Sequence, residues 1–119
     1  MELQDKMRIV QELVPGKQIT LAHIIANPDE ILYRKLGLDP AVEYSKSAIG
    51  ILTLSPAETA IIAGDIAIKS SGVQLGFVDR FSGTVIITGT YSEVDASLKA
   101  VTAYAEETLG FTVCKITKT

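Results

Sequence analysis

The apolar positions of the chain form short runs that alternate with capped, amphipathic segments, most clearly between Ala48 and Val94. This stretch begins with the apolar run AIGILTL, whose length is that of a buried strand. Ser55-Pro56-Ala57-Glu58 follows, with the pattern of a capping box that has proline at the first helical position. Gly72 marks the expected end of that helix. The pattern therefore predicts a strand, a capped helix, a hairpin and the start of a second capped helix.

Proline and glycine residues divide the rest of the chain into further short elements. The other predicted strands are Arg8–Val14, Lys17–Ala26, Val73–Phe81, Thr84–Thr90 and Phe111–Thr117. A short helix is predicted from Asn27-Pro28-Asp29-Glu30 to Gly37, before a loop over Leu38–Ser47. A last helix, capped near Ser92 and closed by Gly110, has one apolar face made of Val94, Leu98, Val101, Ala105 and Leu109. One sheet with helices packed over it follows, which is an α/β fold.

The helix between Ser55 and Gly72 has apolar residues on two sides. At 100° per residue, one side is predicted to lie on the sheet and collects Ala57, Ala60, Ile61, Gly64, Ala67 and Ile68. Ile62 and Ile66 fall on the opposite side, among charged residues. A domain of 119 residues has one core to face, so we predict that Ile62 and Ile66 lie at a subunit interface. The alternative is that they are two scattered, exposed isoleucines.

Composition supports a single self-associating domain. Hydrophobic residues make up 47% of the chain, yet no apolar run approaches the roughly 20 residues that a membrane span needs. This hydrophobic fraction is high for a soluble chain of this size, and packing against further copies of the chain accounts for the excess of apolar residues. The formal net charge is −3 and no basic cluster occurs, which argues against nucleic acid as a partner.

Candidate chemistry is sparse. The single cysteine, Cys114, excludes an intrachain disulfide and fits a reducing cytoplasm, and the start MELQDKMRIV has no signal-peptide core. His23 stands alone in an apolar strand and is predicted to be structural. Asp65 and Lys69 have the spacing of a surface ion pair. We therefore expect no catalytic residue, cofactor or metal site.

The run AIGILTLSPAETAIIAGDIAIKSSGVQLGFVDRFSGTVIITGTYSEVDASLKAV resembles the bacterial microcompartment (BMC) shell domain. The leader RIVQELVPGKQITLAHIIANPDEILYRKLG and the DRFSG turn resemble its circularly permuted branch, the small shell proteins of ethanolamine and propanediol microcompartments. The ethanolamine type is the more similar of the two. The resemblance extends from about Arg8 to Thr119. It implies an N-terminal extension over residues 1–16 and one permuted, mainly antiparallel shell domain over residues 17–119.

The resemblance also implies roles for particular residues in a cyclic homohexamer. Lys69, with Asp65 beside it, is expected at the outer edge of the hexamer. The DRFSG turn is expected to lie at the six-fold axis, where Arg80, Phe81, Ser82 and Gly83 line a pore. The N-terminal strands of six copies are expected to pair into a small barrel over the opening through Ile9, Val10, Gln11, Glu12 and Leu13. From the residues alone, the alternative is a strand added to the edge of the same sheet.

The implied function is structural. The hexamer would tile with other shell proteins around the enzymes of ethanolamine breakdown in the cytoplasm, retaining an aldehyde intermediate, with the encapsulated enzymes as further partners. The chain is not expected to be an enzyme, to bind nucleic acid or to enter a membrane. The alternative is a small oligomeric α/β ligand-binding or regulatory module, which would need a phosphate-cradling glycine loop or a basic pocket, and neither is visible.

Overall fold

The computed structural model describes residues 16–38 and 47–119, which form one six-stranded sheet with helices on both faces. Its strands are β1 (Gln18–Ile25), β2 (Ala48–Ser55), β3 (Gln74–Asp79), β4 (Thr84–Gly89), β5 (Thr112–Val113) and β6 (Thr117–Lys118). Its helices are α1 (Glu30–Lys35), α2 (Thr59–Ser70) and α3 (Tyr91–Glu107). The predicted barrel strand, Arg8–Val14, and most of the predicted loop lie outside the described residues.

The sheet has the order β3-β4-β2-β1-β5, and β6 also pairs with β1. β2 lies antiparallel to both β1 and β4, and β3 lies antiparallel to β4. Only the two-residue strands β5 and β6 run parallel to their neighbour β1 within the described part of the chain. The prediction of a mainly antiparallel α/β sheet is therefore confirmed. The single strand predicted over Phe111–Thr117 is wrong, because two short strands flank an irregular segment there.

The two faces of the sheet carry separate apolar clusters, because successive side chains of a strand point to opposite sides. Under α2 and α3 the larger cluster includes Ala48, Leu52, Val85, Ile87, Leu98 and Val101. On the other face, α1 contributes Tyr33 to a smaller cluster with Leu38, Ile49 and Ile86. The apolar face predicted for α3 is confirmed, since Val94, Leu98 and Val101 are fully buried.

Hydrogen bonds of the first turn determine where α2 and α3 begin. α3 has a complete capping box, in which the Thr90 hydroxyl accepts from the Glu93 N–H and the Glu93 carboxylate accepts from the Thr90 N–H. The capping box predicted at Ser55 is wrong. Ser55 is the last residue of β2 and pairs with Gln18 of β1, so it is not free to cap a helix. α2 begins at Thr59, whose N–H donates to the Pro56 carbonyl at 3.0 Å.

Candidate functional site

The turn between β3 and β4 projects from the end of the sheet and is organised by Asp79. One carboxylate oxygen of Asp79 accepts from the Phe81 N–H at 2.8 Å, and the other accepts from the Ser82 hydroxyl at 2.9 Å. The Asp79 carbonyl accepts from the Gly83 N–H at 2.9 Å. The pKa of Asp79 lies below its ordinary value, chiefly because the Phe81 N–H favours the charged carboxylate and the Ser82 hydroxyl adds to this. The turn is therefore a preformed loop.

Gly83 fixes this turn to the sheet. Its backbone has a φ of +78°, a conformation that glycine adopts without steric cost. Its carbonyl accepts from the Leu54 N–H at 2.8 Å. A Cβ at this position would lie 2.2 Å from the Leu54 carbonyl oxygen. Gly83 is buried and its N–H is bonded within the turn, so it shapes the loop rather than exposing an amide.

Three of the four predicted pore residues are exposed at the tip of this turn. The Phe81 side chain is 81% exposed, and the Arg80 guanidinium lies 5.0 Å from the centre of its ring. The Ser82 hydroxyl is bonded to the Asp79 carboxylate and lies 3.0 Å from the Thr84 hydroxyl. The groups that the tip offers outward are therefore a stacked cation and phenyl ring, and the serine hydroxyl is held within the chain.

The outward surface of α2 has two apolar flanks. The residues that face the sheet are small, namely Ala60, Ala63, Gly64 and Ala67. Ile61 and Ile68 were predicted to face the sheet as well, but they are 54% and 44% exposed. That prediction is wrong because only small side chains fit beneath a helix packed closely on the sheet.

The second flank of α2 carries the two isoleucines predicted at a subunit interface. Ile62 is 46% exposed, and Ile66 is half-buried and packs against the core of its own chain. At helical spacing, a ridge of Glu58, Asp65 and Lys69 separates this flank from Ile61. Ile62 is exposed, whereas Ile66 is already packed within its own chain, so the subunit interface predicted for Ile62 and Ile66 stays a prediction.

Lys69 and Asp65 form the ion pair that their spacing predicts. The Lys69 Nζ lies 2.8 Å from the Asp65 Oδ2, and both side chains are exposed. The pKa of Lys69 is raised, first by this hydrogen bond and then by the nearby negative charge. Lys69 lies at the last turn of α2, at the opposite end of the helix from the β3–β4 turn. It remains a surface cation available to a neighbour.

His23 has a structural role, as predicted. Its two ring nitrogens lie 2.6 Å from the Thr117 hydroxyl and 2.9 Å from the Thr119 hydroxyl, so the imidazole holds the C-terminal segment against β1. Among residues 16–38 and 47–119, no three His, Cys, Asp or Glu side chains are grouped to hold a metal ion. Within the same residues, no helix has the length and apolar character of a membrane span.

Two features of the site were not predicted from the sequence: the hydrogen bonding of Asp79 within the turn, and the exposure of Ile61 and Ile68. Asp79 is the residue that orders the exposed turn, and its signal was present in the spacing of aspartate before Ser82 and Gly83, a local pattern by which aspartate bonds nearby backbone N–H groups. The Ile61 and Ile68 flank was also missed, because the periodicity of a helix that is apolar on most sides does not fix which side meets the sheet.

These surfaces are those of a structural domain that assembles with other proteins. The chain belongs to the BMC domain family, whose model matches residues 48–117. That match begins at β2, although β1 precedes it in sequence and lies beside it in the sheet, which is the arrangement expected of a permuted domain. Proteins of this family form microcompartment shells and are structural, so the chain is a shell protein and not an enzyme.

Individual relatives agree with this assignment over nearly the whole chain. The bacterial microcompartment shell protein PduU of Salmonella typhimurium is 56% identical, over 94% of this chain and 93% of its own. The shell protein EutS of Escherichia coli is 49% identical, over 96% of this chain and 98% of its own. A solved structure described as a CutR flat hexamer superposes with a TM-score of 0.81 at 46% identity, covering 89% of this chain and 94% of that one. Self-association and membership of a microcompartment shell follow.

Proposed function

We propose that the chain forms a cyclic homohexamer that serves as one tile of a microcompartment shell. The observation that carries the proposal is the placement of two surfaces at opposite ends of α2. Ile61, near its start, lines a recess with Val78, Arg80 and Phe81 of the β3–β4 turn, whereas Lys69 lies in its last turn. The helix rise between them is about 12 Å, at 1.5 Å per residue. This arrangement fits a subunit whose α2 runs outward from the ring axis, with the β3–β4 turn near the axis and Lys69 at the outer edge.

In this ring the turn encloses the six-fold axis, and its exposed residues control the opening. The exposed residues of the turn, Arg80, Phe81 and Ser82, line the opening, although the Ser82 hydroxyl is bonded to Asp79. Gly83 holds the loop in shape. Six guanidinium groups near one axis repel each other unless anionic groups compensate, and Asp79 of the same turn supplies one carboxylate per copy. The exposed Phe81 rings narrow the passage. The barrel predicted for residues 9–13, which lie outside the described residues, stays a prediction.

Lys69 is proposed to join one hexamer to the next. Two lysines that meet across an edge pack their aliphatic stems and direct their ammonium groups to backbone carbonyls. We expect Lys69→Ala to leave the hexamer intact and to abolish extended sheets. Negative-stain electron microscopy of the purified protein, at matched concentrations of parent and variant, measures this as the fraction of protein in ordered sheets.

Lys99→Ala is the matched control for this experiment. Lys99 forms the same i,i+4 pair on α3, with its Nζ 2.9 Å from the Asp95 Oδ2, and its side chain is similarly exposed. The control should form sheets like the parent. Sheets of equal extent from Lys69→Ala would show that this lysine is not at a tile edge, while a separate loss of the hexamer would show that it belongs inside the ring.

The enclosed chemistry is proposed from the relatives. Likeness to EutS supports a cytoplasmic compartment that contains ethanolamine-degrading enzymes and retains their aldehyde intermediate. By identity PduU is the more similar of the two relatives, 56% against 49%, so the prediction that the ethanolamine type is the more similar is wrong. A propanediol compartment is therefore an equally strong candidate. Co-expression of the tagged chain with each type of compartment decides between them. The chain should co-purify with the enzymes of the compartment type to which it belongs, and not with those of the other type.

A further inference from the structure

The segment over residues 112–119, which we call the strap, lies along the edge of β1 and joins its ladder at only two points. At one end β5 pairs with Gln18 and Ile19, and at the other β6 pairs with His23 and Ile24. Each strand is two residues long, and residues 114–116 between them belong to neither. Parallel pairing is the less stable kind per residue, so ladders this short need other contacts to hold the strap in place.

The two ends of the strap are fixed in different ways. Just before its start, Phe111 is buried in the larger apolar cluster, and the Lys17 Nζ beside it donates to the Leu109 carbonyl at 2.7 Å. Burial then falls along the strap, from half-buried Ile116 to residues 117–119, which are all exposed. The core therefore anchors the start of the strap, whereas its far end depends on individual side-chain contacts.

Side chains hold the far end of the strap from both faces of the sheet. On one face, the two ring nitrogens of His23 lie 2.6 Å and 2.9 Å from the hydroxyls of Thr117 and Thr119, so both are engaged with the strap. On the other face, the Lys118 Nζ lies 5.4 Å from the centre of the Tyr91 ring. A cation–π contact at an exposed site is weak, so His23 is the main holder of this end.

The far end of the strap covers backbone groups of β1. The Thr119 N–H donates to the Ile24 carbonyl, and the Ala26 N–H donates to the Thr119 carbonyl, both at 2.9 Å. Where the ladder is interrupted, the Thr117 hydroxyl donates to the Ala22 carbonyl at 3.4 Å. Unpaired N–H and C=O groups along a sheet edge are a template for pairing with another chain. Without the far end of the strap, β1 would offer such a template.

We infer that the strap guards the β1 edge, that His23 is the positioning residue that keeps its far end closed, and that opening this end lets β1 pair with a strand of a second copy. Only residues 117–119 need to leave, and they are exposed, so the apolar clusters stay packed when the edge opens. All of these contacts lie within one chain. The inference therefore does not depend on the proposed hexamer.

Hydrogen exchange of the Ala26 N–H, read by mass spectrometry, tests whether His23 keeps the strap closed. We expect His23→Ala to speed this exchange by more than about tenfold, because local opening then costs less free energy. Thr20→Ala is the matched control. Thr20 is also on β1, but its hydroxyl donates to the Thr53 carbonyl of β2 at 3.3 Å and not to the strap. It should leave the Ala26 exchange rate at the parent value.

A second variant keeps the test independent of any damage caused by removing the imidazole. Thr117→Val combined with Thr119→Val removes both hydroxyls at exposed positions and keeps the β-branched shape that suits a strand. It should speed Ala26 exchange as His23→Ala does, and combining all three changes should add little, because they break the same contacts. Amides of the β2–β4 ladder should keep their parent rates, which separates opening of the strap from global unfolding.

Association is the second readout. Light scattering during incubation should show His23→Ala and the threonine variant growing beyond the mass of the parent, whereas Thr20→Ala should keep the parent mass. Unchanged Ala26 exchange in both test variants would show that His23 does not hold the strap. Faster exchange without any new association would show that the strap does not guard an edge. Either result would overturn the inference.

Discussion

Replacing Gly83 by alanine is expected to destabilise the folded chain by about 2–4 kcal/mol. Two causes act together at this position. The φ of +78° is unfavourable for any residue with a Cβ, and the new methyl group would lie 2.2 Å from the Leu54 carbonyl oxygen. That oxygen belongs to the backbone of β2, so the contact is relieved only by moving the turn away from the sheet. Thermal denaturation should show a fall in melting temperature on the order of 10 °C.

Gly37→Ala separates these two causes. Gly37 has a similar φ of +71°, but a Cβ there would have no atom of residues 16–38 or 47–119 within 4 Å. Only the backbone conformation is penalised, and about 1–2 kcal/mol is expected. Equal losses of stability for the two variants would show that the clash of the new methyl group with the Leu54 carbonyl does not contribute to the effect at Gly83. Because assembly contributes to apparent stability, both variants are compared with the parent at the same protein concentration.

Leu98→Ala is expected to have a comparably large effect, about 2–5 kcal/mol. Leu98 is fully buried in the middle of α3, within the larger apolar cluster between the sheet and the helices. Truncation removes apolar contacts and leaves a cavity that the packed strands do not close. Urea denaturation measures the loss as a shift of the midpoint with an unchanged slope.

The control for this substitution is Glu106→Ala, on the exposed side of the same helix, which should change the free energy of unfolding by less than about 0.5 kcal/mol. A Leu98→Ala variant as stable as this control would contradict the position of α3 on the sheet. A variant that unfolds more readily, and forms rings only at low temperature, would show that assembly depends on this core.

Much of the fold could be predicted because local patterns and tertiary packing agree. The apolar residues of α3 repeat at helical spacing and are buried as predicted. The β3–β4 hairpin turns at Gly83, whose positive φ favours glycine. The start of α2 could not be predicted, because Ser55 has the composition of a cap but is kept in β2 by pairing with Gln18. Pairing with a distant strand is invisible to a local capping pattern.

The candidate site was predicted less completely, for a related reason. The turn and Lys69 were located by resemblance to a family, and nothing in their own spacing assigns them to a pore or an edge. On α2, Ile61 and Ile62 are neighbours of equal hydrophobicity, so periodicity alone does not say which flank remains open beside β3. That distinction depends on where the helix lies on the sheet. The Asp79 hydrogen bonds are local, and they follow from the residue pattern once the turn is known.

The mass of the assembly in dilute solution tests the central claim most directly. Size-exclusion chromatography with light scattering distinguishes a single chain of 12.7 kDa from a ring of six copies, about 76 kDa. The account predicts the hexamer mass across a wide range of concentrations, since a closed ring leaves no unpaired interface. A chain that remains monomeric at all concentrations would contradict the account, because neither the β3–β4 turn nor Lys69 would then have the neighbours that give them their proposed roles.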